Sequence, residues 1–207
     1  MRKAVKTIRL FFKELGYLKY VIYAVTVGLA VFCWDNGIQP LSILESFEMF
    51  IFPLSGWWVI QEFYSYVDEE EREVYMSYPL SRRYIGIIGY TCAFSLFAVP
   101  AVMILACLLR QQNSVLFYGT MFSEILVWIS MGFFLVMMTK NIVVSVGIIW
   151  IYASMQILDV SGSFRSISIC FYFVSDIHIM FRKMIVLFFI AAALSISAQK
   201  KFEMMFL

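Results

Sequence analysis

Runs of apolar residues long enough to cross a lipid bilayer alternate with short polar breaks along almost the whole chain. A membrane-crossing helix needs about 20 predominantly apolar residues, and six stretches qualify as candidates. They are 17–34, 47–67, 84–109, 115–138, 142–158 and 182–198. The first carries Lys19, which can snorkel, and ends at Trp34, suited to an interface. The second is apolar between Glu48 and Glu62, with Pro53 and Gly56 inside it. The third has no charge and a mid-span Pro100, the fourth is interrupted by Glu124, and the fifth is short but clean. The sixth confines its charges to Arg182 and Lys183. The expectation is an all-α membrane protein of six transmembrane helices.

Composition removes the alternatives. The chain has 207 residues, 62% hydrophobic and 14% charged, with mean hydropathy +0.85. Soluble domains are nearer half apolar and a quarter charged. Disorder is excluded by the same numbers, because so apolar a chain cannot remain solvated. A net charge of +2 does not suggest a nucleic-acid partner. Cys33, Cys92, Cys107 and Cys170 show no paired spacing, and His178 is the sole histidine, so neither a disulfide framework nor a zinc site is indicated. The basic N-terminus followed by an apolar run lacks a small-x-small cleavage site and reads as a retained anchor.

Basic residues set the orientation. With the N-terminus inside, Arg2, Lys3, Lys6, Arg9, Lys13, Lys19, Arg72, Arg82, Arg83, Lys140, Lys200 and Lys201 face the cytoplasm. Arg110, Arg165, Arg182 and Lys183 face outward. Twelve against four satisfies the positive-inside rule and predicts an N-in, C-in protein. Residues 1–16 form an amphipathic interfacial helix: Val5, Ile8, Phe12 and Leu15 share one face, with Lys3, Lys6, Arg9 and Lys13 opposite. The remainder, 17–207, is the six-span domain.

The most distinctive break runs from Asp68 to Arg83 and places five acidic residues within Asp68–Glu73. The acidic run and Val74, Tyr75 and Met76 form a short helix, which Pro79 ends by pushing Tyr78 out of the helical region. Ser81 caps the next span. The segment Glu73-Val-Tyr-Met-Ser-Tyr-Pro79-Leu-Ser-Arg82 resembles the signature of ABC-2 type transporter permeases. The six-span N-in layout and amphipathic leader are similar to that family over essentially the whole length. One departure is the family's glycine shortly before the glutamate, where Glu70 stands. The resemblance implies a cytoplasmic coupling helix between spans 2 and 3 that docks on a separate ATPase. Glu73, Tyr78, Pro79, Ser81, Arg82 and Arg83 are its ATPase-coupling residues. No GxxxxGK[ST] loop occurs and no glycine precedes lysine, so ATP and Mg2+ belong to a partner ATPase, in two copies, and this chain has no cofactor of its own. A second permease copy, or a homologous permease, completes the path. The resemblance places the chain in the plasma membrane, as a multi-pass protein, of a bacterium.

Two further features concern the path. The apolar run 167–174, bounded by Arg165 and Asp176, is too short to span and reads as a re-entrant or interfacial outer segment between spans 5 and 6. ABC-2 permeases resemble this too. Glu124 lies inside span 4, where an ionised side chain costs about 2–3 kcal/mol by insertion scales. Three readings are open: it faces a substrate path or partner, it is protonated and hydrogen-bonded, or the span begins later. Glu45 and Glu48 are expected at the outer mouth and Glu62 near the inner end of span 2, which makes Glu124, Glu48 and Glu62 the candidate substrate-path residues. The expected function is export of an apolar or amphipathic substrate (peptide, antibiotic or lipid) by alternating access. The alternatives are a non-transporting immunity or sensory module and a membrane-embedded enzyme. The enzyme is disfavoured, because one histidine cannot build an HExxH site and no nucleophile–base pair shares a span.

Overall fold

The computed structural model describes residues 47–64, 67, 114–157, 169 and 177–206, together with 24, 28 and 31. Four α-helices account for nearly all of them, and no strand occurs among the described residues: α1 (Phe52–Tyr64), α2 (Ser114–Thr139), α3 (Ile142–Ile157) and α4 (Ile177–Phe206). They overlap the stretches expected as spans 2, 4, 5 and 6. Ala24, Gly28 and Val31, within expected span 1, are helical and exposed. The leader 1–16, span 3, and all of 167–174 except Ile169 lie outside the described residues.

Segments within α2 (Leu116–Thr139) and α4 (His178–Met204) are long and apolar enough to cross a bilayer, and α3 is a shorter apolar helix. The helix ends depart from the expected ones chiefly at α4. Its apolar part, 184–199, is bracketed by Arg182–Lys183 and Lys200–Lys201, and helix continues past both pairs. Sixteen residues rise about 24 Å, close to the ~30 Å of a bilayer's hydrocarbon core. Charge does not stop a helix, because the backbone hydrogen bonds continue wherever no proline or competing cap intervenes. A hydropathy window sees the apolar part alone.

α1 is preceded by a π-helical turn, Phe47–Ile51. Its cause is local: Pro53 has no N–H to donate back to the Met49 carbonyl, so the regular ladder cannot extend through this turn. Two residues join α2 to α3. Lys140 adopts φ 52°, the left-handed conformation that closes a helix C-terminus, and its N–H reaches the Val136 carbonyl at 3.0 Å. Asn141 then caps α3, its Oδ1 accepting from Val143 N–H at 2.9 Å and Val144 N–H at 3.1 Å. Asn141→Ala is expected to lower the stability of the solubilised protein by about 1 kcal/mol, the usual worth of such a cap, read as a reduced thermal midpoint.

α2 is the central helix, packed against α1, α3 and α4. Its spanning segment is 67% buried, against 17% for that of α4. α4 presents one narrow stripe to the bundle, with Met180, Leu187, Ala191, Ala198 and Phe202 buried, while Phe181, Ile185, Phe189 and Ile196 are exposed. Three contacts fix the direction of this pair. A methyl on Gly119 would stand 3.3 Å from Met184 Sδ, the Phe122 and Phe188 rings lie 6.4 Å apart, and Ser195 Oγ donates to Ser130 Oγ at 3.0 Å. The numbers rise together, so α2 and α4 run parallel. α3 returns antiparallel, pairing Tyr152 with Trp128 at 5.7 Å between rings.

α1 meets α2 on another face, through glycines. A Cβ tilts toward the N-terminus of its helix, whereas carbonyls point toward the C-terminus. A methyl on Gly56 would lie 2.7 Å from the Trp128 carbonyl oxygen, and one on Gly132 would collide with the Gly56 carbonyl. Gly56 therefore sits between Trp128 and Gly132 with Cβ directions opposed to carbonyls, the arrangement of two parallel helices in backbone contact. α3 closes over the crossing, Ile149 Cδ1 standing 2.8 Å from the same Gly56 methyl position.

Candidate functional site

The crossing supplies a common ruler for three helices. Eight residues before Gly56 on α1's leading π turn stands Glu48, and eight before Gly132 on α2 stands Glu124. On antiparallel α3, Gln156 follows Ile149 by seven residues and Tyr152 by four. At 1.5 Å per residue all three lie about 10–12 Å from the crossing, in the same direction. By this count of helix rise Glu48, Glu124 and Gln156 fall at similar distances from the crossing, and the π turn of Glu48 packs against α1 and α3. Each is buried: Glu48 1%, Glu124 0% and Gln156 3% exposed.

Each is held there by its own helix. Glu124 shares the ridge Glu124–Trp128–Gly132, which faces the crossing because residues four apart stack along one side. Gln156 continues the buried ridge of Ser145, Ile149 and Ala153 on α3. Glu48 lies in the π turn, whose displaced ladder sets it apart from the regular helix that follows. The preceding turn of α2 adds hydroxyls: Ser123 Oγ donates to the Thr120 carbonyl and Thr120 Oγ1 to the Phe117 carbonyl, both at 2.7 Å. Both hydroxyls are buried and turned back on their own helix.

A fourth segment meets Gln156. The Gln156 side-chain oxygen accepts the backbone N–H of Ile169 at 3.1 Å, and Ile169 is buried. Ile169 is the described residue of the run expected to be re-entrant. Non-helical backbone at such depth must be satisfied within the protein, and Gln156 satisfies it. Trp128 completes the constellation. It is fully buried, and its indole N–H finds no acceptor among the described residues.

Of the expected path residues, Glu124 and Glu48 are both buried on the N-terminal side of the crossing in their helices, whereas Glu62 lies on the last turn of α1, beyond it. Glu48, expected at an open mouth, is enclosed by the bundle. Glu124 lies ten residues into a helix that begins at Ser114. Gln156 and Trp128 were not among the sequence candidates. A glutamine closing an otherwise apolar run was the available signal for the first. The coupling residues Glu73, Tyr78, Pro79, Ser81, Arg82 and Arg83 lie outside the described residues. No group of three histidine, cysteine or acidic residues suited to a metal ion occurs among the described residues.

No protein-family model, curated protein or solved structure matches this chain. The functional reading therefore stands on its residues and their geometry.

Proposed function

We propose that this chain is the membrane permease subunit of an ATP-driven ABC-2 type exporter, moving an apolar or amphipathic substrate outward by alternating access. Six spans with both termini in the cytoplasm form half of the path, and a second permease copy and two ATPase subunits complete it. The observation that carries this reading is directional. α1, α2 and α4 are parallel, so their C-terminal ends share one side with Lys140, Lys200 and Lys201. By the positive-inside rule that side is cytoplasmic. In this reading the acidic segment Asp68–Arg83, which follows α1 in the sequence, is the part that a cytoplasmic ATPase engages.

In this mechanism ATP binding in the partner pair draws the coupling segments together. The force enters α1 from its C-terminal end and reaches α2 through the Gly56–Gly132 contact, where backbone meets backbone and no flexible side chain absorbs movement. Glu48 and Glu124 lie on the path beyond that fulcrum, and Glu62 lies toward the cytoplasmic end.

The test is reconstitution of the full chain with an ABC ATPase subunit that co-purifies with it from its own host. Joint Glu73→Ala and Pro79→Ala substitution is expected to leave membrane insertion and dimer formation intact while abolishing stimulation of ATP hydrolysis. Unchanged stimulation, or labelling of residues 68–83 from outside intact cells, overturns the reading.

A further inference from the structure

We propose that the exposed side of α4 is a phospholipid-binding face, along which acyl chains lie while Arg182 and Lys200 hold headgroup phosphates of opposite leaflets. The proposal needs only that α4 crosses a bilayer and is independent of the export reading.

The exposure of α4 sets the problem. Its spanning segment has a mean hydropathy of 2.1 yet is only 17% buried, so its own chain leaves most of an apolar helix uncovered. Such a surface requires either hydrocarbon or another protein against it. The placement of charge along the helix decides between them. Lys200 follows Arg182 by 18 residues, which is five whole turns at 3.6 residues each, so the two project from the same side. Both are exposed. Ile185, Val186, Phe189 and Ile196 lie within about 60° of the line that joins them, and all four are exposed. The buried Leu187, Ala191 and Ala198 occupy the opposite side.

Length and charge identify lipid as the occupant. From Arg182 to Lys200 the helix rises about 27 Å, against the ~30 Å of a bilayer's hydrocarbon core. Both cations therefore stand at headgroup boundaries and reach phosphate by extending their stems along the helix. A phosphate at each end complements the face. A second copy of the chain does not. Copies inserted in the same orientation pair about a twofold axis along the bilayer normal, which sets equal depths opposite each other. Arg182 would face Arg182 and Lys200 would face Lys200, like charge against like at both ends. The second permease copy therefore joins through another surface. Glu203, three residues past Lys200, accepts from Gln199 Nε2 at 2.9 Å, and its single charge does not cancel both Lys200 and Lys201.

The experiment places the photoreactive analogue p-benzoylphenylalanine in place of Phe189, on the full chain in vesicles of equal parts phosphatidylcholine and phosphatidylglycerol. Phe189 is 73% exposed, so the replacement needs no repacking. Irradiation is expected to add the mass of one phospholipid to the chain. A covalent dimer of the chain, or the absence of a lipid adduct, overturns the proposal. Native mass spectrometry of the unmodified chain then counts the lipids that stay bound after extraction. Phosphatidylglycerol is expected to be enriched about fivefold over phosphatidylcholine, the preference that one basic side chain near an anionic surface supplies. Joint Arg182→Gln and Lys200→Gln substitution should remove most of that enrichment. Arg182→Lys with Lys200→Arg, which keeps both charges, should preserve it. Enrichment that survives the glutamine pair overturns the assignment of the two cations, and so does its loss in the charge-conserving pair.

Discussion

Gly132→Leu is expected to abolish the folded bundle, and Gly132→Ala to destabilise it by roughly 3 kcal/mol or more. Overpacking a well-filled interior ordinarily costs about 1–3 kcal/mol because side chains shift to make room. Here the atoms met by a new Cβ are the Gly56 carbonyl oxygen, carbonyl carbon and Cα. Backbone in the middle of a helix has no rotamer to yield, so α1 and α2 must separate. Separation opens the contacts of Phe52, Val59 and Phe63, all buried. Gly56→Ala should behave similarly, since its methyl would meet both the Trp128 carbonyl and Ile149. Gly147→Ala on α3 is the contrast. Nothing lies within 4 Å of a methyl there, and the helix-propensity gain of alanine over glycine is up to about 1 kcal/mol. Thermal unfolding of the three alanine variants in one detergent checks the order: Gly147→Ala at or above the parent, Gly56→Ala and Gly132→Ala far below it.

Phe133→Ala is expected to cost about 3–5 kcal/mol, the range for removing a large enclosed aromatic side chain. Phe133 is buried on α2, and its ring lies 4.5 Å from that of Phe63 on α1. The loss is thus the cavity plus the ring pair, which by itself contributes about 0.5–1.5 kcal/mol. The double variant Phe63→Ala, Phe133→Ala should be less destabilised than the sum of the singles, because residues in contact are not additive. Phe189→Ala on α4 is the control. That ring is 73% exposed, so its removal leaves no cavity, and the midpoint should move little. Equal losses at Phe133 and Phe189 contradict the packing described above.

Both predictions concern the contact that transmits movement in the proposed mechanism. They separate stability from coupling. Variants at the crossing lose the fold, whereas Glu73 and Pro79 variants keep it and lose communication with the ATPase. A protein in which Gly56 and Gly132 tolerate bulk has no rigid link between α1 and α2, and force entering one helix then dissipates before reaching Glu124.

Hydropathy located the described helices well, because length and apolar composition are local properties. Expected span 115–138 differs from α2 by one residue at each end, and 142–158 differs from α3 by one residue at its C-terminal end. The turn between them was equally local: Lys140 and Asn141 are the polar pair that interrupts the apolar pattern, and Asn is a preferred cap. α4 was underestimated, since a window that stops at charged residues cannot see helix continuing into a polar surrounding. The π turn was not anticipated either, although Pro53 in the second position of α1 is its physical cause.

The site was legible one residue at a time. Glu124 was chosen because an ionisable group inside an apolar run is costly and Glu48 because it stood at the expected outer mouth, but nothing in the sequence says that both are enclosed. Gln156 and Trp128 carry no charge, and uncharged polar groups in apolar helices draw no notice until burial and hydrogen bonding are known.

The order of apolar and polar residues alone therefore determined the all-helical class of the described residues and the helices' approximate ends. These follow from backbone hydrogen bonding and hydration, which act within a few residues. The glycine crossing, the parallel run of α1, α2 and α4, and the burial of Glu48, Glu124 and Gln156 were decided only by tertiary structure. Which faces touch, and in what register, depends on how closely two backbones can approach, and that is a property of the pair and not of either helix.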